Sequence, residues 1–268
     1  MDSRPEVAAA LEREQRDALT LWRSLGASDW TRPSLCKGWT VKDVAVHCVR
    51  GETEIFRPML RRALAGDATA PAGFDLVAIN DRQIADGRAV PPAQLIDEAD
   101  AAIEETQRML KEMSDEEWVA PSWNPIAPGT AGFYVKGRIW EWWTHNQDVR
   151  IPLKRPGGRG PERTTPVVEV VRDGIPGVFL PGKARDVHVS YAFQVGPTGF
   201  TIRIDDGAIA IDPVFDPKAT SRVKADPATF VLVGTRRISQ AKAVLTGKFR
   251  PSGNPIAGLK FLSYFRAA

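Results

Sequence analysis

Cysteine, histidine, long apolar runs and charge of one sign are all scarce in this sequence, and each scarcity excludes something. Two cysteines, Cys36 and Cys48, in 268 residues are too few for a disulfide framework and fit a reducing compartment. No stretch approaches the roughly 18 consecutive apolar residues of a membrane span. The N-terminal "MDSRPEVAAALEREQ" carries charges where a secretion signal needs an apolar stretch. The expectation is a cytoplasmic protein with no membrane partner. The 36 Lys and Arg against 33 Asp and Glu leave a small, dispersed basic excess, which offers no footprint for nucleic acid. A Walker loop, a dinucleotide glycine fingerprint and zinc-ribbon cysteine spacing are all missing, and no internal repeat is found.

What is present reads as a soluble chain, 43% hydrophobic and 26% charged, long enough for one large domain or two ordinary ones. Up to about residue 150 the pattern is helical. "PEVAAALEREQRDALTLWRSL" puts Val7, Leu11, Leu19, Trp22 and Leu25 on one stripe, and "GASDWTRPSLCKG" breaks it. A second helix opens at Thr40, which with Asp43 makes a capping-box-like start, and Pro58 is expected to bend or interrupt it. "PAQLIDEADAAIEETQRMLKEM" forms a third helix and the stretch from Phe133 to Val149 a fourth. Four such helices suggest an antiparallel bundle.

Residues 155–166, "RPGGRGPERTTP", read as a linker. Beyond it the period becomes two: "DVHVSYAFQV", "GFTIRI" and "AIAI" alternate and are separated by the hairpin signals "GPTG" and "DDG". Two short helical candidates, "PATFVLVGTRR" and "PIAGLKFLSYF", flank a strand-like "KAVLTGKF". The fold class expected is therefore α+β in two domains: a helical bundle over 1–155 and a small α+β domain over 167–268.

The chemistry concentrates in "IWEWWTHNQDVR", residues 139–150. Glu141 and His145 are one helical turn apart and project from one face, with Trp140, Trp142 and Trp143 around them. His47 lies on the core-facing stripe of the second helix, and only three histidines exist in all. Two imidazoles and a carboxylate converging inside a bundle make a three-ligand set with an open position, as in catalytic zinc. The same set suits ferrous iron or nickel. The plainer alternatives are a hydrogen-bonded core histidine and a surface Glu–His pair. Asp148, three residues after His145, is placed to accept the imidazole N–H and orient it, or to pair with Arg150. Cys48, next to His47, reads as a small buried hydrophobe, and His188, in an alternating strand, as structural.

Two stretches carry a resemblance. "SDWTRPSLCKGWTVKDVAVHC" resembles the first signature of the DinB-like, mycothiol-dependent maleylpyruvate isomerase family: a Trp, Pro-Ser or Pro-Thr, Cys, Gly-Trp-Thr-Val, Asp, then His. "EWWTHNQDVRIPLKRP" is similar to its second: Glu, three residues, His, two residues, Asp, Val or Ile, Arg. Two ordered motifs with several specific positions each are a strong signal. The resemblance implies a DinB-like metal-binding four-helix bundle with the metal on His47, Glu141 and His145. It implies a C-terminal domain similar to sterol carrier proteins, carried by "DPATFVLVGTRRISQAKAVLTGKFRPSGNPIAGLKFLSYF". It also points to Asn80 and Arg82 in "AINDRQIADG", and to Arg237, as substrate- or thiol-binding positions.

The function so implied is a transferase or isomerase dependent on a divalent metal, zinc first among the candidates. It would use a low-molecular-weight thiol, mycothiol, as cosubstrate and act on a small electrophile. The alternatives of other classes are a binder of lipid or other hydrophobic ligands, and a metal-dependent hydrolase using the same triad. Fold alone does not choose among them.

Overall fold

The structure, a computed structural model, describes residues 3–125 and 128–266. It divides into two units, Met1–Gly158 and Arg159–Ala268.

In the first unit, α1 spans Arg4–Arg23 and is followed by the short α2, Ala27–Trp30. The predicted stripe is real, with Val7, Leu11, Leu19 and Trp22 all buried. Leu25 falls past the helix end and is only half-buried. Next comes α3, Val41–Arg50, and its start is a reciprocal capping box. Asp43 N donates to Thr40 Oγ1 at 3.2 Å and Thr40 N to Asp43 Oδ2 at 2.9 Å, so two orphan amides are satisfied.

Pro58 does interrupt this helix, by way of a wider turn. Residues Gly51–Phe56 are π-helical, with Arg57 N donating to Glu52 O, and α4 (Arg57–Leu64) restarts with the proline in its first turn. Proline has no N–H to give and suits a first helical turn. The extra residue of the π turn changes which side chains face inward.

"AINDRQIADG" lies in a helix, α5 (Leu76–Gly87), started by Asp75 accepting from Ala78 N. Helix α5 packs on α3 at a bare glycine: a Cβ on Gly87 would lie 2.3 Å from Val46 Cγ1. Gly87→Ala should therefore lift α5 from the helix that carries His47, at a cost of about 1–3 kcal/mol. The check is a lower urea midpoint at unchanged slope.

The bundle closes with α6 (Pro92–Glu112), the short α7 (Asp115–Val119), a two-residue ladder of β1 (Pro121–Ser122) on β2 (Gly129–Thr130), and α8, Ala131–Arg150. Both α1 and α3 pack against both α6 and α8, which makes a four-helix ring. No helix among the described residues is long and apolar enough to cross a membrane.

The expected linker is not loose. Gly157 O and Gly158 O accept from Gln147 Nε2 and Trp143 Nε1 at 3.2 and 2.6 Å, and Pro156 O accepts from Arg150 Nη1 at 3.0 Å. The chain just past α8 is thus tied back onto that helix, and α9 (Pro161–Val178) already begins inside the predicted linker, with Pro166 in its interior.

The second unit holds a five-stranded sheet in the order β5-β4-β3-β6-β7. Its strands are β3 (His188–Val195), β4 (Thr198–Asp205), β5 (Ala208–Asp212), β6 (Ser221–Ala225) and β7 (Phe249–Gly253). All pairs are antiparallel except β3 with β6. Both predicted hairpins form. The β4–β5 turn uses Asp206 and Gly207 at φ 45° and 77°, the left-handed pair that a tight hairpin favours. Phe193, Phe200, Phe230 and Phe261 build the core, Phe193 lying 5.1–5.5 Å from the other three ring centres.

The helices of this unit after α9 are α10 (Pro227–Gly234), α11 (Gln240–Leu245) and α12 (Pro255–Lys260). The strand-like "KAVLTGKF" is corrected: Lys242–Leu245 belong to α11, which Ser239 caps from Lys242 N, and β7 starts only at Phe249. Gly247, at φ 69°, makes the turn between them.

Candidate metal centre

Three elements of the bundle converge on one point. The loop before α3 is folded by Ser34 N donating to Trp39 O at 2.9 Å and Trp39 N to Cys36 O at 3.0 Å. Gly38, at φ 84°, supplies the left-handed position inside that turn. Leu35 N donates to Asp148 O at 3.0 Å and so fastens the loop to α8. This explains the spacing of the first motif: the turn lays Trp39 against both imidazoles, 5.1 Å from the His47 ring and 6.5 Å from the His145 ring.

His47 comes from the last turn of α3, and Glu141 and His145 from successive turns of α8. The three donor atoms lie within 4.8 Å of one another. The two imidazoles meet edge to face at 4.7 Å, and His47 Nε2 is 3.2 Å from Glu141 Oε1. Both histidines are buried, at 7% and 8% exposure, whereas a quarter of the Glu141 side chain is open. That opening is where a ligand can approach.

Each group has a distinct electrostatic setting. Burial, only partly offset by the bond to Glu141, lowers the pKa of His47 and keeps it neutral. Its Nδ1, the ring nitrogen not facing Glu141, is buried with no hydrogen-bond partner among the described residues. Burial also works against a charged His145, but the Asp148 carboxylate 3.0 Å from Nδ1, together with Cys36, outweighs it and raises the group to about 9. Desolvation opposes the Glu141 charge as well, yet the Arg138 guanidinium and His47 hold its carboxyl far below the usual carboxylate range. The set thus contains a neutral imidazole, a second imidazole tethered by a carboxylate, and an ionised carboxylate.

Those residues fit a divalent metal. The donors, two imidazoles and a carboxylate, are of the types that zinc takes. Asp148 occupies one nitrogen of His145 and leaves the other available, the arrangement that fixes a ligating histidine. Around them, Arg150 bonds Asp17 of α1 at 2.9 Å and Asn146 bonds it at 2.6 Å, pinning α8 against α1.

Other predicted positions fare differently. Asn80 is half-buried on α5 and Arg82 faces solvent. Arg237 follows α10 in the second unit, donating to Thr235 O at 2.9 Å. The tryptophans do not form one wall: Trp142 is buried against Trp22 at 5.9 Å, Trp143 bonds Gly158, and Trp140 is half-buried. One turn of helix cannot face the rings at 140, 142 and 143 to one side. The aromatic at the site is Trp39 instead. Cys48 is buried and its thiol pKa is pushed well up by that burial. His188 sits exposed at the strand end, 2.5 Å from its cross-strand partner Asp205.

Sequence reading gave no role to three neighbours of the site. Cys36 donates to Asp148 Oδ2 at 3.0 Å and lies 3.8 Å from His145 Nδ1. Glu52 and Arg138 form a buried ion pair beside Glu141. The spacing of Arg138, one turn before Glu141, was a usable signal. Glu52 had none, since its direction depends on the π turn.

Comparison with known proteins agrees with this architecture. No curated protein matches the chain in sequence. Among solved structures it is similar to the mycothiol-dependent maleylpyruvate isomerase, at 14% identity over 93% of both chains, with a TM-score of 0.64. A single-residue variant of that enzyme aligns at 14% identity over 93% of both chains, with a TM-score of 0.63. At such identity the likeness establishes the fold. The sequence model described as the mycothiol maleylpyruvate isomerase N-terminal domain matches residues 11–150, which include all of α3 and α8. With more than half of its length so matched, the chain belongs to the mycothiol maleylpyruvate isomerase N-terminal domain family.

Proposed function

We propose that the chain is a metal- and thiol-dependent enzyme, a transferase or isomerase acting on a small electrophile. His47, Glu141 and His145 would hold a divalent ion, zinc by the nature of the donors, and mycothiol would be the cosubstrate. The observation that carries this reading is the donor cluster itself, with three ligand atoms within 4.8 Å and one His145 nitrogen already committed to Asp148. The family, and the isomerase that shares the fold, support mycothiol as the thiol.

A bound divalent ion supplies a Lewis acid that lowers the pKa of a coordinated thiol and so provides thiolate at neutral pH. The chain's own residues do the rest. Asp148 fixes the tautomer of His145. Trp39 covers one side of both imidazoles and keeps water from them. The open quarter of Glu141 leaves a path for the thiol sulfur. Thiolate addition to a substrate double bond forms a C–S bond. The addition breaks the π bond and leaves carbanionic charge on the neighbouring carbon; expulsion of the thiolate after rotation restores an isomerised double bond, and protonation of that carbon from solvent gives a conjugate.

The test uses cobalt(II) in place of zinc. Mycothiol, or a short analogue, should shift the visible spectrum, because a sulfur ligand introduces charge-transfer bands that water does not. Binding should also release a proton, since the bound form is thiolate. A spectrum unchanged at saturating thiol would remove the thiol from the reading.

A further inference from the structure

We propose that Arg138 is a positioning residue that decides how Glu141 meets the metal: held by Glu52, it occupies one oxygen of the Glu141 carboxylate and leaves the other as a single-oxygen ligand. The inference rests on the metal reading above and goes beyond it, to what fixes the coordination of that ion.

The geometry divides the two oxygens of Glu141 between two neighbours. Oε2 accepts from Arg138 Nη1, while Oε1 faces His47 Nε2 at 3.2 Å. The guanidinium cannot swing away. Its Nε and Nη2 bond Glu52 Oε2 at 3.1 and 2.9 Å, and it lies over the Phe56 ring, 5.5 Å from the centroid.

Glu52 is fixed in turn. Trp142 Nε1 donates to its Oε2 at 3.0 Å and Thr106 Oγ1 to its Oε1 at 2.7 Å. Glu52 is 0% exposed and Arg138 4%. The π turn presents Glu52 to this network, and its first residue, Gly51, carries no side chain where the backbone passes Arg138 and Glu141.

A buried ion pair is often no more stable than apolar residues of the same size, so stability alone does not account for one set against this carboxylate. The charges do. Glu52 neutralises Arg138, and Arg138 draws on Glu141, so the pair tunes how much negative charge Glu141 offers.

This gives changes of opposite sign. In Glu52→Gln the amide keeps hydrogen-bonding capacity but no longer balances Arg138, whose charge then acts fully on Glu141. In the double variant Glu52→Gln, Arg138→Met, both charges go and the second oxygen of Glu141 is released. Cobalt(II) affinity of the full chain, measured by competition with a chelator, should fall about tenfold in the single variant and rise about tenfold in the double one, the scale typical of groups that support metal ligands. X-ray absorption of the cobalt-loaded double variant should show one more oxygen neighbour than wild type.

A merely structural pair would weaken the site in both variants. If wild type binds cobalt and the double variant binds no tighter, the role of Arg138 is overturned while the metal reading stands. If wild type binds no cobalt, both fall. Should the double variant fail to fold, the single one decides: undiminished affinity in folded Glu52→Gln overturns the proposal.

Discussion

Alanine at His145 or at His47 is expected to leave the protein almost free of metal and still helical. Each substitution takes one of three donors from a cluster only 4.8 Å across, and two donors do not make the three-ligand set of a catalytic site. Loss of a group that merely supports a ligand costs roughly 10–100-fold in affinity, so loss of a ligand itself should cost at least about a hundredfold. Asp148→Asn, which weakens the anchor on His145 Nδ1 without removing a ligand, should sit between, with a loss of about tenfold. Metal analysis after dialysis, paired with far-UV circular dichroism, separates loss of metal from loss of fold. Full metal content in both alanine variants would end the assignment of the triad.

That Glu141 and His145 share a face was legible from helical spacing, and the resemblance to the two family motifs joined His47 to them; the structure brings the three donor atoms within 4.8 Å. The bundle was legible for a similar reason: α1, α3 and α6 carry apolar stripes, whereas α8 is buried on every side from Trp142 to Arg150 and shows no stripe. Where reading failed, non-local or subtle local terms decide the structure. Glu52 turns toward Arg138 from a π-helical segment, and no apolar periodicity signals the inserted residue that produces it.

In α5 a run of Asn, Asp and Gln looks like loop. Its cap on Asp75 and its packing on α3 make it a helix. Strand β6 alternates Arg222 and Lys224 about the buried Val223, but over only five residues, too short a pattern to fix a strand. Pairing with β3 on one side and β7 on the other makes it a strand. At α11, Val244 and the C-cap Thr246, both β-branched, suggest a strand, but the Ser239 cap and the turn at Gly247 prevail.

The three tryptophans of "WEWW" should differ sharply in what they contribute, and Trp142 should matter most for stability. Its ring is 1% exposed and packs 5.9 Å from Trp22, joining α8 to α1. Its N–H donates to Glu52 at 3.0 Å. Trp142→Ala leaves a cavity in the bundle and takes a donor from a buried carboxylate, so a loss of about 3–5 kcal/mol is expected. For a unit of this size, that is a fall in Tm on the order of 10 °C. Trp140 is the contrast. It is half-buried, and its indole N–H finds no hydrogen-bond partner among the described residues. Trp140→Phe keeps most of the apolar surface and removes that unmet donor, so stability should stay within about 0.5 kcal/mol of wild type or rise. Urea unfolding followed by far-UV circular dichroism distinguishes the two. A loss below about 1 kcal/mol in Trp142→Ala would mean that the α1–α8 contact is not the centre of the bundle core, since a well-packed buried indole cannot be removed that cheaply.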